Sequence, residues 1–254
     1  MAAQFPDLEG RSVFITGGGS GIGAALTDGF LGQGARVFFV QRSDASAFCD
    51  TMADRHGRRP GFVSCDITDT GALKAAIAAA AGENGPVTVL VNNAADDTRH
   101  TTLDLTESEW DATQAVNLKP YFFAAQAVIP GMQAAGGGAI VNFSSITYLI
   151  GSVGMPGYVA ANAAIVGLTR TLAREFGPSG IRVNALAPGM VITDRQLRLW
   201  LSEESIAAHK MRQCLPIRLT PAEMVDPALF LASDASRGMT GQCLAVDGGV
   251  VITG

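Results

Sequence analysis

"TGGGSGIG", Thr16 to Gly23, follows directly on the apolar run "SVFIT" (12–16) and opens a helical pattern over 21–33. Glycines at a strand-to-helix turn let the backbone bend tightly and let an anion approach the first N–H groups of the helix, where the dipole favours negative charge. The strict G-x-G-x-x-G spacing is absent: the glycines stand as Gly17-x-x-x-Gly21-x-Gly23, with Ser20 and Ile22 between them. The placement predicts a cradle for a pyrophosphate, and hence a dinucleotide, in preference to a plain glycine-rich turn.

Outward from that loop, short β-branched or aromatic runs alternate with longer alanine-rich helical stretches. Strands are predicted at 12–16, 36–41, 61–65, 87–92, 139–144, 181–187 and 243–248. Helices are predicted near 21–33, 68–81, 107–134, 156–176 and 222–233, with Gly34 and Gly177 closing two of them as residues just past the helix end. Most strands are unbroken apolar runs, as strands covered on both faces are, so the reading is an α/β chain with one parallel sheet of about seven strands and helices on both sides. No linker divides the chain, and a single domain over 1–254 is expected. The polar, amphipathic insertion at 191–219 suits a mobile helical lid.

Composition narrows the field. Hydrophobic residues make up 48% of the 254 and charged residues 16%, a globular balance and not a disordered one. A net charge of −5 offers no basic face, so nucleic acid is not an expected partner. Four scattered cysteines lack metal-site spacing and read as reduced thiols; no metal is expected. No run reaches membrane-spanning length and no leader is evident, so a soluble cytoplasmic protein is expected.

Ligands of open α/β sheets bind at the carboxyl ends of the strands, and several candidates fall there. After the second strand come Gln41, Arg42 and Ser43, with no acid for a ribose. An arginine and a serine there welcome a 2′-phosphate, so NADP is expected ahead of NAD, although Arg42 reads equally as a surface charge. Asp66 and Ile67 follow the third strand. Asn92, Asn93 and Ala94 follow the fourth, where Asn92 reads either as a tie between strands or as a cofactor contact. Ser145 follows the fifth strand, Tyr158 lies thirteen residues later, and Asn117 interrupts the long predicted helix.

Taken together, "TGGGSGIG", "NNAA" (92–95), Asn117, Ser145, Tyr158, "RVNALAPG" (182–189), Thr193 and "DGG" (247–249) resemble a short-chain dehydrogenase/reductase over the whole chain. The resemblance implies a doubly wound Rossmann fold, a homotetramer, and hydride transfer between NAD or NADP and a carbinol or carbonyl. It makes Tyr158 the acid/base on the substrate oxygen, Ser145 that oxygen's hydrogen-bond partner, and Asn117 an anchor for a proton-relay water. It places Pro188, Gly189, Val191 and Thr193 on the nicotinamide carboxamide.

One position departs from the pattern. The family has Tyr-x-x-x-Lys; this chain has Tyr158-Val-Ala-Ala-Asn162. In the family the lysine binds the nicotinamide ribose and lowers the tyrosine's pKa. A free tyrosine, with a pKa of about 10, is only about 1% phenolate at pH 8. Loss of roughly two to three units of depression costs a hundred- to thousandfold in the reactive form. Lys119, two residues from Asn117, is not placed to compensate. Three explanations stay open: a position altered to slow an enzyme, a natural dinucleotide-binding protein with little catalysis, or compensation elsewhere. An oxidoreductase scaffold whose lysine is replaced fits the otherwise intact site.

The substrate is read from two polar stretches. "DDTRH" (96–100) contributes Arg99 and His100, and the lid contributes Arg195 and Trp200. Such groups suit a small polar substrate, a sugar or deoxy-sugar acid, and these loops resemble the sugar-oxidising branch of the family. A 3-oxoacyl-thioester reductase is the enzymatic alternative. The C-terminal "DGGVVITG" is expected to pack on a neighbouring subunit.

Overall fold

A computed structural model describes residues 3–252; Met1, Ala2, Thr253 and Gly254, at the ends of the predicted domain and of the C-terminal segment, lie outside the described residues. The strands are β1 (Ser12–Thr16), β2 (Arg36–Gln41), β3 (Gly61–Ser64), β4 (Val89–Asn92), β5 (Gly138–Phe143), β6 (Ile181–Pro188) and β7 (Cys243–Val246). All pair in parallel, in the order β3-β2-β1-β4-β5-β6-β7. The order reverses between β1 and β4, and a crevice opens there at the carboxyl ends of the strands.

The helices are α1 (Gly21–Gly32), α2 (Ser46–His56), α3 (Thr70–Asn84), α4 (Glu107–Asn117), α5 (Lys119–Ala134), α6 (Thr147–Ile150), α7 (Pro156–Phe176), α8 (Asp194–Leu199), α9 (Glu203–Lys210) and α10 (Val225–Ala232). Alternate strand residues feed two cores. Val13, Ile15, Val37 and Phe39 pack with α1, α2 and α10 on one face, while Phe14, Phe38 and Val40 pack with α3 and α5 on the other. That double coverage explains strands that are apolar throughout. No helix among the described residues is long and apolar enough to cross a membrane. The four cysteines are unpaired.

Three expectations need correction. The helix α2 was not predicted, because only Cys49 and Met52 of its residues are fully buried, with Phe48 partly so, and its other positions are polar or alanine. The predicted helix at 107–134 is two helices: Leu118 leaves helical geometry (φ −127°, ψ −51°), and Pro120 in the first turn of α5 supplies no N–H to continue α4. Gly177 does not adopt the left-handed conformation. It stays helical at φ −53° and leads into a 3₁₀ turn that Gly180 closes at φ +74°.

The insertion at 191–219 is pinched at its base by a parallel bridge, Val191 to Leu219, with the Ile192 N–H donating to the Leu219 carbonyl at 2.8 Å. Both bridge residues are buried. Between them α8 and α9 form a flap over the crevice.

Candidate active site

The glycine loop is built for an anion. Gly17 takes φ +73°, and a Cβ on Gly23 would lie 1.8 Å from the Gly17 carbonyl oxygen, so no larger residue fits there. Ser20 precedes α1 without a side-chain capping bond, leaving the first-turn N–H groups unsatisfied where the loop lines the cleft. Thr16 locks the loop to the next strand: its hydroxyl accepts the N–H groups of Asn93 (2.9 Å) and Ala94 (3.1 Å), while the Asn93 amide donates to the carbonyls of Thr16 and Gly17.

Further along this cleft, of about 1080 Å³, stand Gln41, Arg42 and Ser43. The Gln41 amide donates to Ser43 and lies over Gly19, which leaves Arg42 and Ser43 outward at the strand end. The next acid along the chain, Asp44, is engaged by the Ser46 N–H and hydroxyl, which hold its carboxyl below the usual range. Asp66 does not line the cleft. Its carboxylate turns to Thr68 (2.8 and 2.9 Å), and only its neighbours Cys65 and Ile67 face inward. Asn92 is fully buried and donates to Asn142 at 2.9 Å, which identifies it as a tie between β4 and β5.

At the other end of the cleft the residues carrying acid/base potential converge. The Ser144 hydroxyl donates to the Asn162 carbonyl at 2.9 Å, fastening α7 to the end of β5 so that Ser145, Tyr158 and Asn162 line one wall. Burial, and then the Asp97 carboxylate, push the Tyr158 phenol above its ordinary value; the Ser145 and Asn162 side chains and the Arg99 charge pull against this. The Asn162 amide also bonds its own helix. Its Nδ2 donates back to the Tyr158 carbonyl at 2.9 Å, one turn earlier in the helix, and the residue is 3% exposed. Lys119 is elsewhere, its Nζ on the Thr68 carbonyl at 3.3 Å.

Asn117 is 1% exposed and pins the loop after β4: it accepts the Asp96 N–H at 2.8 Å and donates to the Asp96 and Thr113 carbonyls. Its main-chain carbonyl lies at the break between α4 and α5. The Tyr121 N–H, which an unbroken helix would aim at Asn117, goes instead to Leu118 at 3.1 Å. The Asn117 carbonyl is thereby released from the helical ladder.

The flap is latched across the opening. Arg195 bonds both Asp97 and Asp96, the latter at 2.9 Å, and the Gln196 amide donates to Asp97 at 2.7 Å. Thr193 caps α8 by accepting the Gln196 N–H. Pro188, Gly189 and Val191 complete this end. A Cβ on Gly189 would strike Asp247 at 2.8 Å, and Asp247 in turn accepts the N–H groups of Gly249 and Val251.

Two predicted substrate residues do not reach the wall. His100 faces Glu109 at 3.8 Å, with its backbone N–H on the Gly154 carbonyl, and Trp200 lies over the Arg99 guanidinium at 5.2 Å. Both belong to the rim. Conversely, His209 and Arg212 line the cleft without having been foreseen, because nothing in the local pattern of α9 says which way it is folded over the sheet.

With this geometry in hand, the chain can be compared with known proteins. A family profile described as "Enoyl-(Acyl carrier protein) reductase" matches residues 17–251. A "Probable galactose dehydrogenase" of Rhizobium meliloti is 51% identical over 251 residues, covering 98% of each chain. A "D-xylose 1-dehydrogenase" of Caulobacter vibrioides is 44% identical over 250 residues, again 98% of each. Among solved structures, a "putative short-chain alcohol dehydrogenase" from Sinorhizobium meliloti superposes with a TM-score of 0.91 at 33% identity, covering 97% of this chain and 98% of that one.

Proposed function

Because this chain belongs to the short-chain dehydrogenase/reductase family, we propose that it is an oxidoreductase acting on the hydroxyl or carbonyl of a sugar, one domain over its whole length. The observation that carries the reading is the cleft itself. One end is a glycine loop shaped for a pyrophosphate, and the other joins Ser145 and Tyr158 to a wall of Asp96, Asp97, Arg99, Arg195 and Gln196. The sugar assignment also draws on relatives that bear the names of galactose and xylose dehydrogenases.

The loop fits a nicotinamide dinucleotide, because its uncapped N–H groups and the tight turn that glycine at 23 permits suit a pyrophosphate. When bound, that group accepts or donates the hydride. Gly17, Ser20, Gly21, Ile22 and Gly23 would hold its phosphates, Ile67, Asn93 and Ala94 its adenosine side, and Pro188, Gly189, Val191 and Thr193 its carboxamide. Arg42 and Ser43, with Asp44 engaged elsewhere, favour NADP over NAD.

Ser145 would hold the substrate oxygen, and Tyr158 would take its proton during oxidation or return it during reduction. The released Asn117 carbonyl would hold a water through which that proton leaves. Asn162 weakens this chemistry: it is uncharged, and its amide is spent on the Tyr158 carbonyl. The same observation favours a second reading, a dinucleotide-binding protein with little turnover. The exposed Trp110 and Phe122 on α4 and α5 support a homo-oligomer, and the family likeness supports reading it as a cytoplasmic tetramer.

The test is calorimetry on the NADP⁺-loaded protein with D-galactose, D-xylose and a 3-oxoacyl thioester, beside a turnover assay. Saturable aldose binding is expected. Binding of the thioester alone overturns the sugar reading; cofactor and aldose binding without turnover selects the second one.

A further inference from the structure

The flap carries a side chain that the proton chemistry does not use. His209 lines the cleft from α9, and its Nε2 is buried with no hydrogen-bond partner in the protein. Buried polar atoms are nearly always paired, so an orphan in a ligand cleft points to a partner that arrives with the ligand. The neighbouring polar groups of the flap do not share this property: Arg195 and Gln196 are occupied by Asp96 and Asp97. Of the other unpartnered buried atoms, Thr147 Oγ1 also belongs to a cleft residue, one outside the flap, while Gln213 Oε1 does not, its amide being tied to the Asp247 carbonyl at 3.3 Å.

The chemistry of the missing partner follows from the ring. Burial, with the Arg212 charge adding to it against Asp247, holds the imidazole below its ordinary value. The ring is therefore neutral at pH 7, and Nε2 offers either an N–H or a lone pair. An acyl chain would leave that nitrogen unpaired in a dry site. A hydroxyl, which both donates and accepts, satisfies it in either tautomer.

We propose that His209 Nε2 hydrogen-bonds a sugar hydroxyl remote from the reacting carbon, making His209 a specificity-determining residue of the flap. This rests on the sugar-oxidoreductase reading above.

The test compares the wild type with His209→Phe and His209→Gln, each loaded with NADP⁺, by calorimetric titration of D-galactose, D-xylose and their monodeoxy analogues. Phenylalanine keeps the ring and removes the nitrogen; glutamine returns an amide nitrogen at a similar reach. The expected result is about tenfold weaker aldose binding in His209→Phe, substantial recovery in His209→Gln, and one deoxy analogue that wild type and His209→Phe bind equally. Cofactor affinity should be unchanged. The melting temperature of His209→Phe without sugar should hold or rise, since a buried orphan has been removed; a merely structural histidine would lower it. Equal aldose affinity in wild type and His209→Phe overturns the assignment while leaving the sugar reading intact. Failure of every aldose to bind wild type while NADP⁺ binds overturns the sugar reading, and this inference with it.

Discussion

Asn162→Lys is the perturbation that most directly interrogates the site. In the wild type the Tyr158 phenol lies above its ordinary value through burial and the Asp97 charge. An unshifted tyrosine is about 1% phenolate at pH 8, so the reactive fraction in this chain is smaller still. An ammonium brought within hydrogen-bonding range of the phenol lowers its pKa by roughly two to three units, at about 1.4 kcal/mol per unit. Below the shifted pKa that is a hundred- to thousandfold gain in phenolate. The substitution is feasible because the tie between β5 and α7 uses the main-chain carbonyl of residue 162, which any side chain retains. The back-bond from Nδ2 to the Tyr158 carbonyl is lost, and with it the Asn162 side chain's own pull on the phenol. Placing a cation at a position 3% exposed should lower the melting temperature by a few degrees. The assay is kcat/KM for aldose oxidation from pH 6 to 11. The variant should lead by about two to three orders of magnitude at pH 7–8, and the lead should shrink as pH approaches the pKa of the wild-type tyrosine, where the wild-type phenolate fraction catches up. A gain that is the same at every pH would mean that the lysine acts through cofactor grip alone. No gain at all would refute the reasoning about Tyr158.

Gly23→Ala should abolish saturable dinucleotide binding in a fluorescence titration, because its Cβ would meet the Gly17 carbonyl oxygen at 1.8 Å, a backbone atom that cannot give way cheaply. Arg42→Ala should weaken NADP⁺ at least about tenfold while leaving NAD⁺ nearly unchanged, as loss of a charge-assisted phosphate contact does; equal losses for both would make Arg42 a surface charge. Asp97→Asn removes a carboxylate that raises the Tyr158 pKa, so the rise of kcat/KM with pH should move to lower pH. The same change weakens the latch to Arg195 and Gln196, and limited proteolysis within 194–212 should become faster.

Much of the molecule could be read along the chain. A parallel sheet covered on both faces forces unbroken apolar strands, and the period of β followed by α is local, so the parallel sheet of about seven strands followed from pattern, while the strand order was seen only in the structure. The glycine loop was equally legible, since Gly17 and Gly23 answer constraints imposed within eight residues. The helix α2 escaped because few anchors, Cys49, Met52 and the partly buried Phe48, hold it against the core. The break at Leu118 had its sign in Pro120, outweighed by the apolar pattern on either side.

By itself the sequence determined the fold and the missing charge, because periodicity, turn chemistry and the identity of residue 162 are properties of neighbours along the chain. Only the tertiary structure decided where side chains spend their hydrogen bonds. It turned Asp66 away to Thr68 and Asn162 back onto its own helix, and set His100 and Trp200 on the rim. It also brought His209 into the cleft wall from a flap that begins more than thirty residues after Tyr158. Those outcomes depend on which partners lie within reach in space, and that is fixed by packing between elements far apart in the chain.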